Sequence, residues 1–462
     1  MLSATACPRL PYSSNWQSRA VSSDRAQPDA RGRLIATGSF LVLFLSASLL
    51  LYSSGSNTLS PVLSTIRFAG IGAGTLSIVF LALSVRSDVE TRAPWALLAL
   101  WELFALCCVL SSVVNGSLSE DAIELFWIVV CVPLCFFVCG AIVISRFGLL
   151  PLLYGLSIAH AALICVSLAA DPAIHFRYLG LFCDPNQLGY ASMMAIIVGL
   201  ALLPRKLAAF RNSWRAVCLI VALVVAAFFL ICVSSHRTSL LTLLICLAVS
   251  LARFRRIRAI SLTVLLAMIV SICVLVMLSG QAAEMVTQII NKNSTAIDKG
   301  TLLDGRENIW RLAVQDITLF GHGRRYFIEA TNGLGAHNSF LHVLGTRGLL
   351  AAAIVGVICI YSVILCWRIT RIRNLAVETS HGALLMVITY WAMGMAEGVF
   401  GSLGTGLHMA FLITLGYLAS YGSPGGRVIT VRPIRRAHQR TGMATDRLWA
   451  APASRVMRSS RG

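Results

Sequence analysis

Charged residues are scarce in this chain, 12% of 462 positions, about half the fraction found in soluble globular domains. That scarcity excludes a soluble domain as the main body. Acidic residues are scarcer still: 19 Asp and Glu stand against 38 Lys and Arg, for a net charge of +19. In a soluble protein such an excess would suggest nucleic acid. Here the basic residues sit mainly in alternate connections between apolar runs and in the two tails, with no basic domain interleaved with aromatics, so nucleic acid is not an expected partner. No Asp-x-Asp pair occurs anywhere, and neither a metal nor a cofactor is expected. Of the 14 cysteines only Cys183 falls in a predicted outer loop, which excludes a disulfide framework. Cys131, Cys135 and Cys139 share a helix face, where small apolar packing explains them better than a metal. Repeats with a period of tens of residues are also missing.

What is abundant is apolar sequence, 57% of the residues with a mean hydropathy of +0.79. A hydrocarbon core about 30 Å thick takes roughly 20 apolar residues per helix, and such runs recur along nearly the whole length. The expected fold is all-α, a polytopic integral membrane protein of about twelve transmembrane helices, with spans near 34–52, 68–85, 94–114, 123–145, 148–170, 187–203, 215–234, 239–252, 259–279, 348–367, 381–399 and 403–420. Residues 1–33 and 421–462 read as disordered basic tails, and 34–420 as the membrane domain. The first run begins too far in, and is too long, for a cleaved signal peptide. Arg253 to Arg258 and the other basic connections belong inside by the positive-inside rule, with both termini. That leaves Gly280 to Arg347, the one long polar segment between spans, outside.

Chemistry is expected on that outer face. Arg177 lies in the loop from Asp171 to Gln187, among turn-forming Gly180, Pro185 and Gly189. Arg237 is held in the short Ser234 to Thr238 turn, at the hydrocarbon edge, where an unpaired guanidinium is costly and so points to function or to a buried pair, against a side chain that snorkels to water. In the long loop, Asp304 and Glu307 form a capping-box pattern that predicts a helix with Arg306 in its first turn. The helix dipole disfavours a cation there, which points to binding or to pairing with Asp304; Arg311 follows. Arg324 and Arg325 after Gly321-His322-Gly323 either grip phosphate bidentately or face water. His337, beside Asn338, is either a base poised near neutral pH or a hydrogen-bonded histidine at a helix start. Glu102, Glu397, His160 and His408 fall inside predicted spans, as a proton pathway or as hydrogen-bonding glue, and the missing repeat favours glue.

These motifs, taken together, resemble a family. Arg177-Tyr-Leu-Gly180, Asp184-Pro-Asn186-Gln-Leu-Gly189, Ser235-His-Arg237-Thr, Gly305-Arg306-Glu-Asn-Ile-Trp310, Gly321-His-Gly323, and His337-Asn338-Ser-Phe-Leu341 followed by Gly348 occur in the order seen in the O-antigen ligase and polymerase family of bacterial membrane glycosyltransferases. The resemblance implies transfer of a glycan from an undecaprenyl-diphosphate carrier to a lipid A-core or glycan acceptor, at the periplasmic face of the inner membrane and without a metal. It assigns Arg237 and Arg306 to the diphosphate, with Arg177 as a further donor-binding residue, and His337 to the role of base. Asn338, Arg324 and Arg325 are supporting residues. His236 before the arginine, and the absence of a proline before Gly321, depart from many relatives.

The rival class is a transporter or flippase of the same lipid-linked glycans. It predicts charges spread over many spans and related halves, whereas here they concentrate on one outer loop. A non-catalytic assembly partner is the third reading.

Overall fold

Each apolar run satisfies its backbone hydrogen bonds internally, as hydrocarbon requires, and the described chain is helical nearly throughout. A computed structural model describes residues 30–48, 60–85, 91–170, 178–180, 182, 184–208, 210–253, 287, 291, 306–331, 335–372, 375–398, 400, 405–422 and 428–429. The helices are α1 (Ala30–Ser48), α2 (Ser60–Ser84), α3 (Trp95–Val114), α4 (Leu118–Phe126), α5 (Gly140–Phe147), α6 (Leu150–Ala170), α7 (Pro185–Ala208), α8 (Phe210–Ser234) and α9 (Arg237–Arg253). Within the long segment from Gly280 to Arg347 come α10 (Arg306–Gln315), α11 (Tyr326–Ala330) and α12 (Ser339–Arg347), and after it α13 (Leu349–Ile369), α14 (Val377–Gly394) and α15 (Gly406–Gly422). Between α4 and α5 the chain continues as a π-helix over Trp127–Cys139, with Pro133 inside it. Proline cannot donate a helical hydrogen bond, and a wider winding accommodates the gap.

Eight of these helices, counting Leu118–Phe147 as one, are long and apolar enough to cross a membrane, and Arg237–Ala252 and Gly406–Tyr421 are shorter apolar helices. The protein is a polytopic helical membrane protein, as expected. The span expected at 259–279 and most of both tails lie outside the described residues. In the C-terminal tail, Val428–Ile429 pairs antiparallel with Thr91–Arg92. The capping-box residue Asp304 and the loop residue Arg177 also lie outside.

Helix ends follow local chemistry. Asp184 caps α7, its Oδ1 accepting from Asn186 N at 2.9 Å, and Pro185 takes the first helical position, where a missing N–H costs nothing. Gly148, at φ 78°, closes α5 by donating to Ile144 O, a left-handed stop that glycine adopts without strain. α7 is the inner helix: 83% of its apolar stretch is buried, against 33% for α8. It begins beside the site described below and ends in Arg205 and Lys206, as α9 ends in Arg253 and α13 in Arg368.

One boundary differs from expectation. The span expected to run to 399 stops as helix α14 at Gly394. Phe400 is drawn instead into a cage of Trp101, Phe104, Tyr390 and Trp391, with ring centroids 5.4 to 6.5 Å away. Burying such a ring contributes about 1.5–3 kcal/mol. It anchors the turn that carries Glu397.

Candidate functional site

Two backbone positions mark the site. Ser235 and His337 are the positive-φ non-glycine residues among those described, at 57° and 47°, a conformation that costs on the order of 1 kcal/mol and persists where the surroundings impose it. Each opens a helix that delivers side chains to one carboxylate. That carboxylate is Glu397.

The α8–α9 turn supplies His236, which is buried against Gly189 of α7; any side chain at position 189 would collide with the imidazole. Its Nδ1 lies 2.6 Å from Ser239 Oγ, which donates to Gly189 O at 3.0 Å. Its Nε2 faces Glu397 Oε1 at 3.6 Å. Tyr190 packs edge-on to His236, centroids 5.2 Å apart, and its hydroxyl interacts with Glu397. Arg237 is next in the chain and opens α9. Its Nη2 is buried and, among the described residues, has no hydrogen-bond partner. A buried cationic donor without an acceptor is unfavourable, so this guanidinium is ready for an anion.

The long loop supplies the other half. Arg306 opens α10, donates from Nη1 to Ala396 O at 2.8 Å and places Nη2 3.6 Å from Glu397 Oε1. The carboxylate and carbonyl offset the helix dipole that disfavours a cation there. Trp310, one turn on, donates to Ala336 O at 2.8 Å and so holds the residue that precedes His337. Asn338 caps α12 by accepting from Phe340 N and Leu341 N, and donates to Met395 O at 2.8 Å. Ser339 Oγ donates to Glu397 O at 3.0 Å and accepts from Phe400 N at 2.9 Å. With the two chains stapled this way, His337 Nδ1 comes 2.9 Å from Glu397 Oε2.

Burial pushes the Glu397 carboxyl toward its neutral form, but contacts with His236 and His337 and the charge of Arg306 outweigh it and hold the group down at about 2. An ionised carboxylate only accepts, so His337 donates Nδ1–H to it. The side chain of His337 is 32% exposed and that of Glu397 only 7%. The imidazole therefore has one edge fixed by the protein and another open.

Arg324 and Arg325 are not brought into this cluster by their ion pairs, which run to α4: Arg324 to Glu124 at 3.8 Å and Arg325 to Glu120 at 3.6 Å, both largely exposed. Gly321-His322-Gly323 is a packing turn. His322 N and Gly323 N donate to Gly345 O and Thr346 O, and Gly321 meets the backbone of Gly348 too closely for a side chain. Arg347 ends α12 in a buried network, 2.8 Å from Asp121 Oδ2, 2.9 Å from Glu124 Oε1 and 2.8 Å from Ser112 Oγ. α12 is thus tied at its start to the Glu397 turn and at its end to α4.

Of the residues expected from the sequence, Arg306 and His337 meet at Glu397 and Asn338 ties to Met395 beside it, while Glu397 itself was not expected at the centre. The sequence alone places Glu397 inside a span; the available signal is a carboxylate at the end of that apolar run, with a segment rich in arginine before it in the chain. Tyr190 and the Arg347 network carried no signal. Among the other intramembrane groups, His160 Nδ1 donates to Leu156 O and His408 Nδ1 pairs with Tyr390 Oη, both at 2.7 Å, as glue. Among the described residues no three His, Cys, Asp or Glu side chains group to hold a metal ion.

A search of curated proteins finds no match to the chain. Residues 222–356 match the family model described as O-antigen ligase, a stretch that contains His236, Arg237, Arg306 and His337 but neither Tyr190 nor Glu397. Over these residues the chain is similar to the O-antigen ligase family.

Proposed function

We propose that the protein transfers a glycan from an undecaprenyl-diphosphate carrier to an acceptor hydroxyl at the periplasmic face of a bacterial inner membrane. The observation that carries this reading is the His337–Glu397 pair, 2.9 Å apart, with Arg306 on the same carboxylate and Arg237, next in the chain to His236, leaving its Nη2 without a hydrogen-bond partner among the described residues. His337 Nε2 takes the proton from the acceptor hydroxyl as its oxygen attacks the anomeric carbon. The bond from that carbon to the phosphate oxygen breaks, and its electron pair stays on undecaprenyl diphosphate. Attack opposite the leaving group inverts the anomeric configuration.

Each residue has a physical task. Glu397 fixes the tautomer and orientation of His337 and stabilises the imidazolium once the proton arrives. A base so placed contributes on the order of 10² to 10⁴ in rate. Arg237 and Arg306 meet charge developing on the diphosphate; a preorganised donor of this kind contributes about 3–4 kcal/mol. Guanidinium matches phosphate oxygens in a planar fork, so the arginines take the task a divalent metal performs elsewhere. Arg177 is kept as a donor-binding residue on the family motif alone. The acceptor is lipid A-core for a ligase and the next lipid-linked repeat for a polymerase.

The test is transfer by purified protein in liposomes, given a lipid-linked glycan, an acceptor and excess chelator. Product of inverted configuration with release of undecaprenyl diphosphate is expected. Movement of the lipid-linked glycan across the bilayer without a new glycosidic bond, or dependence on an added divalent ion, contradicts the reading.

A further inference from the structure

Glu102 takes no part in the site. It lies on α3, seven residues beyond Trp95, with its side chain on the outer surface of the bundle. At 1.5 Å per residue that is about 10 Å into the span. Among the described residues no hydrogen bond or ion pair reaches it, so it neither glues the bundle nor continues a proton path through it. A carboxyl facing hydrocarbon at that depth is costly, and glutamate lacks the long stem that lets lysine or arginine snorkel to water.

The exposed face around Glu102, which also carries Leu103 and Leu110, contains a stripe with the spacing of a helix–helix seam. Trp95, Ala99, Glu102, Leu106, Val109 and Val113 are spaced alternately four and three residues apart, and all are exposed except Val109, which is partly so. That spacing keeps one stripe facing a partner helix in left-handed packing. Ala99, one turn below Glu102, allows the partner backbone close.

We propose that α3 is the contact between two copies of this chain, packed about a two-fold axis along the membrane normal, with the two Glu102 carboxyls hydrogen-bonded to each other. Both copies insert in the same orientation, so a residue on the axis-facing stripe meets its own counterpart at the same depth. A protonated carboxyl is both donor and acceptor, which makes Glu102 complementary to itself. A different partner would need its own polar group at this depth on a foreign helix.

The test uses the full chain with a donor or acceptor fluorophore on a terminal tag, reconstituted in liposomes and diluted with lipid while energy transfer between copies is followed. The wild type forms dimers that dissociate on dilution. Glu102→Gln, which keeps a donor and an acceptor, stays within about 3-fold of it, and Glu102→Leu dissociates about 5- to 30-fold more readily, the range for polar contacts between membrane helices. Ala99→Trp, which adds bulk on the exposed face, also loses the dimer. Because both positions face outward, the thermal midpoint of each variant stays at the wild-type value at a dilution where the wild type is monomeric. A wild type that is monomeric at every dilution, a Leu variant that dimerises as well as wild type, or a Gln variant as weak as Leu overturns the proposal. So does a different protein found on α3 where no second copy is.

Discussion

Glu397→Gln removes one charge and almost no volume, and its effect can be worked from the distances. The wild-type carboxylate accepts from His337 Nδ1 at 2.9 Å on one oxygen and faces Arg306 and His236 at 3.6 Å on the other. A carboxamide has a single acceptor oxygen. Where that oxygen turns to Arg306, the amide N–H₂ turns to His337, which must then accept at Nδ1 and carry its proton on Nε2. An imidazole in that tautomer cannot take a proton from the acceptor hydroxyl. The expected loss is on the order of 10² to 10⁴ in kcat, or about 3–5 kcal/mol in the barrier. Carrier binding is expected to hold or tighten, because Arg306 loses its counter-ion. The fold should persist, since Ser339 holds Glu397 through its backbone carbonyl. Single-turnover transfer in liposomes, with carrier binding measured separately, reads both quantities. A kcat within about 3-fold of wild type, far from the loss expected of a mis-set base, would refute the reasoning.

Three further outcomes are expected. Arg237→Lys keeps the charge but loses the fork, and kcat/KM should fall about 10- to 100-fold with the chain still inserted, read by the same assay. Arg347→Met leaves the buried Asp121 carboxylate without its counter-ion and should cost about 3–5 kcal/mol of stability, whereas Arg325→Met, at an exposed pair, should change it by less than about 1 kcal/mol; thermal midpoints in detergent compare the two. Glu397 is held at about 2 against an ordinary 4.5, a lowered value, so its contribution is complete above 4.5 and is lost as pH falls toward 2. At most about 3 kcal/mol is at stake, and the wild-type midpoint should drop more steeply than that of Glu397→Gln below pH 4.5.

The membrane architecture was legible because hydrocarbon imposes one rule on every span, so helices α1 to α8 and α13 fall where the apolar runs do. Even α9, a short run ending in Arg253, formed. Arg237, Arg306 and His337 were legible because each is polar where the local environment discourages it. The boundary of α14 was not, because its apolar run continues past Gly394 and only the tertiary pull of Ser339 and the aromatic cage on Phe400 ends the helix. Glu397 was hidden for the same reason, since its role depends on a turn that brings it to residues 60 and more positions away. Arg324 and Arg325 show the converse: phosphate-binding residue types, adjacent in sequence, that in the fold face the acidic start of α4.

The central claim is that His337 is the base and not a carrier ligand. The direct measurement is His337→Ala in liposomes, with carrier binding and single-turnover transfer determined on the same preparation. The account predicts carrier binding within about 3-fold of wild type and transfer reduced by about 10² or more. Transfer near the wild-type rate, or a loss of carrier binding equal to the loss of transfer, would contradict it.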